Sequence, residues 1–149
     1  MPDANDRSTA PTPSAQFAGN GEPRRSDGRL AAAISNLLVG LLRRYQGRGP
    51  THARTTVGRD HVLVLLRDTM TTSEKTLAEN GYEQLVLDGR RAMQDAMREE
   101  ATQKLQELTG RRVIGFLSDN QINPDLAAEL FIMETGEDGL ELAEGDATE

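Results

Sequence analysis

Arginine and glycine alternate in one short segment, Gly47-Arg48-Gly49-Pro50, which offers the clearest chemistry in the chain. The glycines on both sides of Arg48 allow a sharp turn with outward-facing N–H groups, and Pro50 stiffens the exit. A guanidinium binds carboxylate or phosphate through paired hydrogen bonds, and two further arginines follow closely in sequence. We therefore predict an anion-binding or partner-binding site formed by Gly47, Arg48, Gly49, Pro50, Arg54 and Arg59.

Two uses of Arg48 remain open at the level of sequence. In a functional turn, Arg48 faces a ligand, and Arg48→Ala removes binding while the melting temperature stays within a few degrees. In a structural turn, Arg48 binds the last carbonyls of the preceding helix or pairs with an acid of the core. Residues 28–135 contain 14 basic and 14 acidic residues, with 12 arginines among the bases, so intramolecular pairing is available.

The sequence patterns of known catalytic and metal sites are missing from the chain. His52 and His61 lack the spacing of a zinc-binding helix, and there is no cysteine to complete such a site. Neither a G-x-S-x-G elbow nor a glycine-rich phosphate loop occurs. The polar residues Asp119, Asn120, Asn123 and Asp125 lack the spacing of an EF-hand. We predict a protein that is not an enzyme, with no catalytic residues, no metal and no cofactor.

Three helices are predicted around these residues. An apolar stripe with helical spacing precedes Gly47 and consists of Leu30, Ile34, Leu37, Leu38, Leu41, Leu42 and Tyr45. Thr71 and Glu74 have the spacing of a capping box that opens a short helix, and Asn80-Gly81 closes it. A long helix over residues 83–108 has an apolar stripe through Val86, Met93, Met97, Ala101, Leu105 and Leu108, and ends at Gly110.

Three strands complete the prediction. Residues 62–66 are apolar on both faces, which is typical of a central strand. Residues 112–117 and 127–134 flank a polar loop, residues 118–125, and are predicted to pair as an antiparallel hairpin. The order α-β-α-α-β-β indicates a single small α+β domain, with a mainly antiparallel sheet of about three strands packed by helices.

The net charge of −7 divides the chain into three parts. Residues 1–27 are rich in Pro, Ser, Thr and Ala and are predicted to be a disordered tail. Residues 28–135 are neutral overall and form the domain. Residues 136–149 contain six acids and no base, which predicts an acidic disordered tail.

Composition also restricts the partners and the compartment. Aromatic residues make up 3% of the chain and the domain has no basic excess, so we expect no bulk nucleic-acid binding. We find neither a signal-peptide pattern nor an 18-residue apolar stretch, so we expect a cytoplasmic protein without direct membrane insertion. The apolar helix stripe and two-sided strands exceed what few elements can cover, which predicts a homodimer.

Four segments together resemble one known family. They are Gly47-Arg48-Gly49-Pro50, residues 60–66, Met70-Thr71-x-x-Glu74-Lys75-x-Leu77, and Thr109-Gly110-Arg111-Arg112-Val113-x-Gly115-Phe116-Leu117-Ser118-Asp119. Their order and spacing resemble the bacterial MpsC/YbcI-like family, named for a Na+-translocating membrane potential-generating system. The similarity extends over residues 29–134. It implies a role beside a membrane cation or inorganic-carbon transport system and supplies no catalytic residues.

Two functions are compatible with these features. The first is a non-enzymatic cytosolic accessory or regulatory interaction module, linked through a protein partner to such a transport system. The alternative is a small-ligand sensor that binds an anionic metabolite or nucleotide at the turn formed by residues 47–50. Thermal stabilisation by anions or nucleotides discriminates the two functions, because a bound ligand stabilises the folded chain.

Removal of residues 1–26 and 136–149 is expected to leave the domain folded, because neither segment has the apolar periodicity needed for packing. The melting temperatures of the full and trimmed chains provide the measurement. A decrease of more than about 8 °C on trimming would show that a tail docks on the domain.

Overall fold

The computed structural model describes residues 25–136 of the chain. Within this range three helices and four strands follow one another in the order α-β-β-α-α-β-β. The elements are α1 (Arg25–Gln46), β1 (His52–Val57), β2 (His61–Arg67), α2 (Thr72–Glu79), α3 (Glu83–Thr109), β3 (Val113–Gln121) and β4 (Leu126–Met133).

The four strands form one antiparallel sheet in the order β1-β2-β4-β3. β2 pairs with both β1 and β4, so the prediction of a central strand here is confirmed. β3 and β4 pair as the predicted antiparallel hairpin. The α+β class and the single domain are confirmed, but the predicted number of three strands is one too low.

The strand missed by the sequence analysis is β1, at one edge of the sheet. Its sequence, HARTTV, has little apolar character and showed no clear strand pattern. Ala53, Thr55 and Val57 lie on the helix-facing side, and the residues between them are exposed. An edge strand that covers the end of a helix layer needs only a few small apolar contacts, which explains the weak signal.

The hairpin strands are longer than predicted. Residues 118–121, assigned to the loop by sequence, continue β3 and pair with β4, with Ser118 opposite Glu129. Polar side chains in this half of β3 concealed the strand. The connecting loop consists of residues 122–125.

The predicted helix ends are confirmed. Thr71 accepts a hydrogen bond from the Glu74 backbone N–H at 3.2 Å, and the Glu74 carboxylate accepts one from the Thr71 backbone N–H at 3.4 Å. This reciprocal pair is a capping box. Gly110 ends α3 in the left-handed conformation, with φ of 67°, which glycine adopts without steric cost.

All of the core lies on one face of the sheet. α1 contributes Ile34, Leu38, Leu41 and Leu42, α3 contributes Met97, Ala101 and Leu105, and the sheet contributes Val62, Val64, Leu66, Phe116, Ala127, Phe131 and Met133. α2 packs against α3. The domain therefore has two layers, helices and sheet, and within residues 25–136 no helix covers the second face of the sheet.

The two predicted tails lie outside the described residues, except for residues 25–27, which begin α1, and residue 136. Among the helices of the described part of the chain, none is long and apolar enough to cross a membrane.

Candidate functional site

The backbone of the arginine-glycine turn is fitted to α1. Gly47 has φ of 80°, a conformation that favours glycine, and its N–H donates to the Arg43 carbonyl at 2.8 Å. A Cβ on Gly49 would lie 3.2 Å from the Val39 carbonyl oxygen, so a side chain does not fit without a shift of α1. Pro50 is buried. Each of these three residues thus has a packing or backbone requirement.

Arg48 reaches across the turn to the segment between β2 and α2. Its Nη2 donates to Asp68 Oδ2 at 2.7 Å, and its Nη1 donates to the carbonyls of Met70 at 2.6 Å and Asp68 at 3.1 Å. Asp68 has φ of 53°, unusual for a residue with a side chain. The hydrogen bonds from Arg48 and Thr51 lower the pKa of Asp68. Arg48 therefore holds the β2–α2 connection in place.

The other two arginines of the predicted site lie elsewhere. Arg54 is exposed in the middle of β1, and Arg59 lies in the turn that joins β1 to β2. Within residues 25–136 neither makes an ion pair. The structure thus keeps Gly47, Arg48, Gly49 and Pro50 together but separates them from Arg54 and Arg59. Anion binding by these six residues stays a prediction.

A buried arginine that the sequence analysis missed joins several elements below the sheet. Arg90 of α3 is 5% exposed, and its Nε donates to the Glu74 carboxylate. Its Nη1 donates to Thr69 Oγ1 at 2.7 Å. Thr69 donates to Asp125 Oδ1 at 2.7 Å, and Asp125 Oδ2 accepts from the Met70 N–H at 2.9 Å. One guanidinium thereby connects α3, α2, the β2–α2 segment and the hairpin loop.

The same network continues to a buried carboxyl group. Asn120 Nδ2 donates to Gln94 Oε1 at 2.9 Å, and Gln94 Nε2 donates to Glu129 Oε1 at 3.2 Å. Glu129 is fully buried, and its Oε2 has no hydrogen-bond partner among the described residues, although Ser118 lies opposite it. Burial raises the pKa of Glu129 to about 7, against the lowering effects of the neighbouring Ser118 and Gln94 side chains and the Arg90 charge.

The buried stripe of α3 differs from the predicted one and explains why this network was missed. It passes through Val86, Arg90, Gln94, Met97, Ala101 and Leu105. The predicted stripe included Met93, which is half-buried, and Leu108, which is exposed. The helical spacing of Arg90 and Gln94 with Val86 and Met97 was a usable signal, since it places two polar residues on the buried side.

The described residues include no group of three or more His, Cys, Asp or Glu side chains that could hold a metal ion.

The second face of the sheet is apolar and uncovered. Side chains alternate between the two faces of a strand. The residues of this second face therefore point away from the helices, on the opposite side from the buried Val62, Val64 and Leu66. We call this surface the open sheet face; it consists of Leu63, Leu65, Leu117, Leu126, Ala128, Leu130 and Ile132. Leu65 is 47% exposed and Leu117 is 62% exposed. Continuous exposed apolar patches are typical of interaction surfaces.

Comparison with protein families adds one finding to this geometry. The family model described as "Na+-translocating membrane potential-generating system (MpsC)" matches residues 26–135. The chain belongs to the MpsC family. The match covers every helix and strand of the structure apart from the first residue of α1. No curated protein and no solved structure matches the chain.

The MpsC domain therefore has one polar and one apolar candidate for a functional site. Arg48 and Arg90 are engaged in hydrogen bonds that hold the connections between elements. The open sheet face has no such partner within residues 25–136, and its exposed leucines are available for contact. We select this face as the candidate functional site.

In the MpsC domain, Arg48→Ala is expected to lower the melting temperature by about 5 °C, because three hydrogen bonds to the β2–α2 connection are lost. Arg59→Ala is the control, since Arg59 is exposed and makes no ion pair within residues 25–136. Equal melting temperatures for the two variants, with loss of anion binding only in Arg48→Ala, would instead favour a ligand-binding turn.

Glu129 is expected to make stability fall with rising pH. Because its pKa rises from 4.5 to about 7 on folding, the folded chain keeps a proton that the unfolded chain releases. This stabilisation is complete below the unfolded pKa and is lost as the pH rises through about 7. The side chain at position 129 of the variant Glu129→Gln stays neutral at every pH. Between pH 4.5 and 8 the free energy of unfolding of wild type should therefore fall by about 3 kcal/mol relative to that of Glu129→Gln.

Urea denaturation of wild type and Glu129→Gln across this pH range measures the effect. Glu99→Gln is the control, because it removes the same charge from an exposed glutamate of α3, whereas Glu129 is buried on β4. If wild type and Glu129→Gln change in parallel with pH, Glu129 is ionised in the folded chain and the assignment is wrong.

Proposed function

We propose that this chain is a non-enzymatic accessory or regulatory module of a Na+-translocating membrane system and acts by binding another protein. The observation that carries the proposal is the open sheet face, an apolar surface on the side of the sheet away from the helices. The description of the MpsC family supports the association with sodium translocation. We further propose that the module works in the cytoplasm, in keeping with a chain that contains no cysteine.

A two-layer domain usually keeps the outer face of its sheet polar. Here β2 and β4 have leucine, isoleucine or alanine at most outward positions, and Leu117 extends this patch onto β3. Removing apolar surface from water is favourable by about 25 cal/mol per Å². A protein layer packed on this face would therefore be stabilised, and the pleated shape suits another sheet or a helix.

The polar residues support binding over chemistry. The strongest candidates for a reactive or anion-binding group, Arg48 and Arg90, donate to Asp68, Glu74 and neighbouring atoms of their own chain. The open sheet face has charged residues at its edges: Asp119 on β3, Arg54 on β1, and Arg67 at the end of β2. Charges at the rim of an apolar patch are typical of protein interfaces, where they set orientation.

Loss of the protein is expected to reduce the sodium-dependent part of the membrane potential in the cell that encodes it. Re-expression of wild type should restore this potential, whereas Leu117→Lys should not, because a charge buried within an apolar contact destabilises docking. Leu85→Lys is the matched control: Leu85 is 56% exposed, similar to Leu117, but lies on α3. A voltage-sensitive dye at high and low external sodium provides the measurement.

If deletion leaves the sodium-dependent potential unchanged, the proposed association with sodium translocation is wrong. If both leucine variants restore the potential, the association stands but the open sheet face is not the surface that carries it.

A further inference from the structure

Two opposite charges lie at the ends of one row across the open sheet face. In the strand register Arg54 is opposite Leu65, Leu65 is opposite Ala128, and Ala128 is opposite Asp119. Arg54 is on the edge strand β1 and Asp119 is on the other edge strand, β3. Both side chains are exposed. Three strand spacings, about 14 Å, separate the two positions.

The same row of a second copy, read in the opposite order, is complementary to this row in charge and size. A two-fold axis that runs parallel to the strands, above the open sheet face and between β2 and β4, brings β1 of one protomer over β3 of its partner. Arg54 then faces the partner's Asp119, and Leu65 faces the partner's Ala128. Because the axis is two-fold, each contact occurs twice, and the dimer contains two Arg54–Asp119 pairs around an apolar centre.

The neighbouring row fits the same arrangement. It contains Thr56, Leu63, Leu130 and Leu117 in order across the sheet. Under the same axis Leu63 faces the partner's Leu130, and Leu117 faces the methyl group of the partner's Thr56. Large residues thus meet small ones at two positions, as interdigitating layers require. Aligned sheets pack about 10 Å apart, a gap that an arginine and an aspartate side chain span together.

Other orientations of a second copy lack this complementarity. An axis perpendicular to the strands brings β1 over the partner's β1, so Arg54 approaches an edge with the same charge and Asp119 does likewise. Residues 28–135 have no net charge, so the folded parts of two copies approach without overall repulsion.

We infer that the open sheet face binds a second copy of this chain through a two-fold axis parallel to the strands, with Arg54 of each protomer paired with the partner's Asp119. The inference rests on the proposed function, which makes this face a protein-binding surface. It leaves α1, α2 and α3 on the outside of the dimer.

Gel filtration coupled to light scattering of the full chain tests the association. Wild type at tens of micromolar is expected to have twice the mass of one chain. Leu117→Lys is expected to be a monomer, while the control Leu85→Lys stays dimeric, because only Leu117 lies in the interface. Circular dichroism of each variant verifies that the fold is retained. A monomeric wild type, or a dimeric Leu117→Lys, would overturn the inference.

Charge exchange tests the orientation. Arg54→Glu and Asp119→Arg each replace two attractive pairs with two repulsive ones, so each should raise the dimer dissociation constant at least about tenfold. An equimolar mixture of the two single variants should form a heterodimer, since every pair across it is again of opposite sign. The double variant R54E/D119R should dimerise like wild type for the same reason.

Failure of the mixture to form a heterodimer would refute the proposed axis. Failure of the dimer and failure of the proposed function give different results. A monomeric wild type together with a sodium defect in Leu117→Lys would overturn the dimer and leave the proposed function standing. If the charge-exchange variants dimerise as expected, but the sodium-dependent potential of the cell does not need the protein, the dimer stands and the proposed function is wrong.

Discussion

The buried guanidinium of Arg90 is the constraint on which the arrangement of this domain depends. A charged group that is removed from water must be paired and hydrogen-bonded, or it destabilises the fold by several kcal/mol. Arg90 meets this requirement in large part: Nε is paired with Glu74 and Nη1 donates to Thr69, whereas Nη2 has no hydrogen-bond partner among the described residues. Thr69 in turn donates to Asp125. Glu74 also completes the capping box of α2. The start of α2, the end of β2 and the hairpin loop are therefore positioned by contacts that converge on one side chain of α3.

Part of the sheet has polar side chains on its inner face and apolar side chains on its outer face, the reverse of the usual arrangement. The candidate site therefore lies on the outer face. Glu129 and its neighbours Gln94 and Asn120 occupy the helix-facing side, where their hydrogen bonds replace apolar packing. The outward side has Leu63, Leu65, Leu130 and Ile132. A glutamate on the inner side and leucines on the outer side are the arrangement that the proposed protein contact requires, since a bound partner would cover the leucines. The Arg54–Asp119 pairs of the proposed dimer lie at the edge of that contact, where ion pairs determine register more than affinity.

Much of the architecture could be predicted from sequence because its signals are local. Thr71 and Glu74 are three residues apart, and Gly110 directly follows its helix, so the capping box and the C-cap needed no tertiary information. β1 was missed because a strand that contributes only Ala53, Thr55 and Val57 to the core has no strong apolar alternation. Arg90 was missed because an arginine is expected at the surface, and its partners Glu74 and Thr69 are 16 and 21 residues away in sequence.

The role of the arginine-glycine turn also depends on tertiary contacts that the sequence does not reveal. Its composition was distinctive in sequence, but the reasons for Gly49 and Arg48 are contacts with Val39 on α1 and with Asp68 after β2. A motif with unusual residues therefore marked a place where two distant segments meet, while ordinary leucines on β2, β3 and β4 formed the surface that nothing in residues 25–136 covers. Sequence alternation alone cannot identify such a surface, because a strand that is apolar on both sides is equally compatible with burial between two layers. The strand order and the one-sided placement of the helices distinguish the two cases, because they leave one apolar face of the sheet uncovered within residues 25–136.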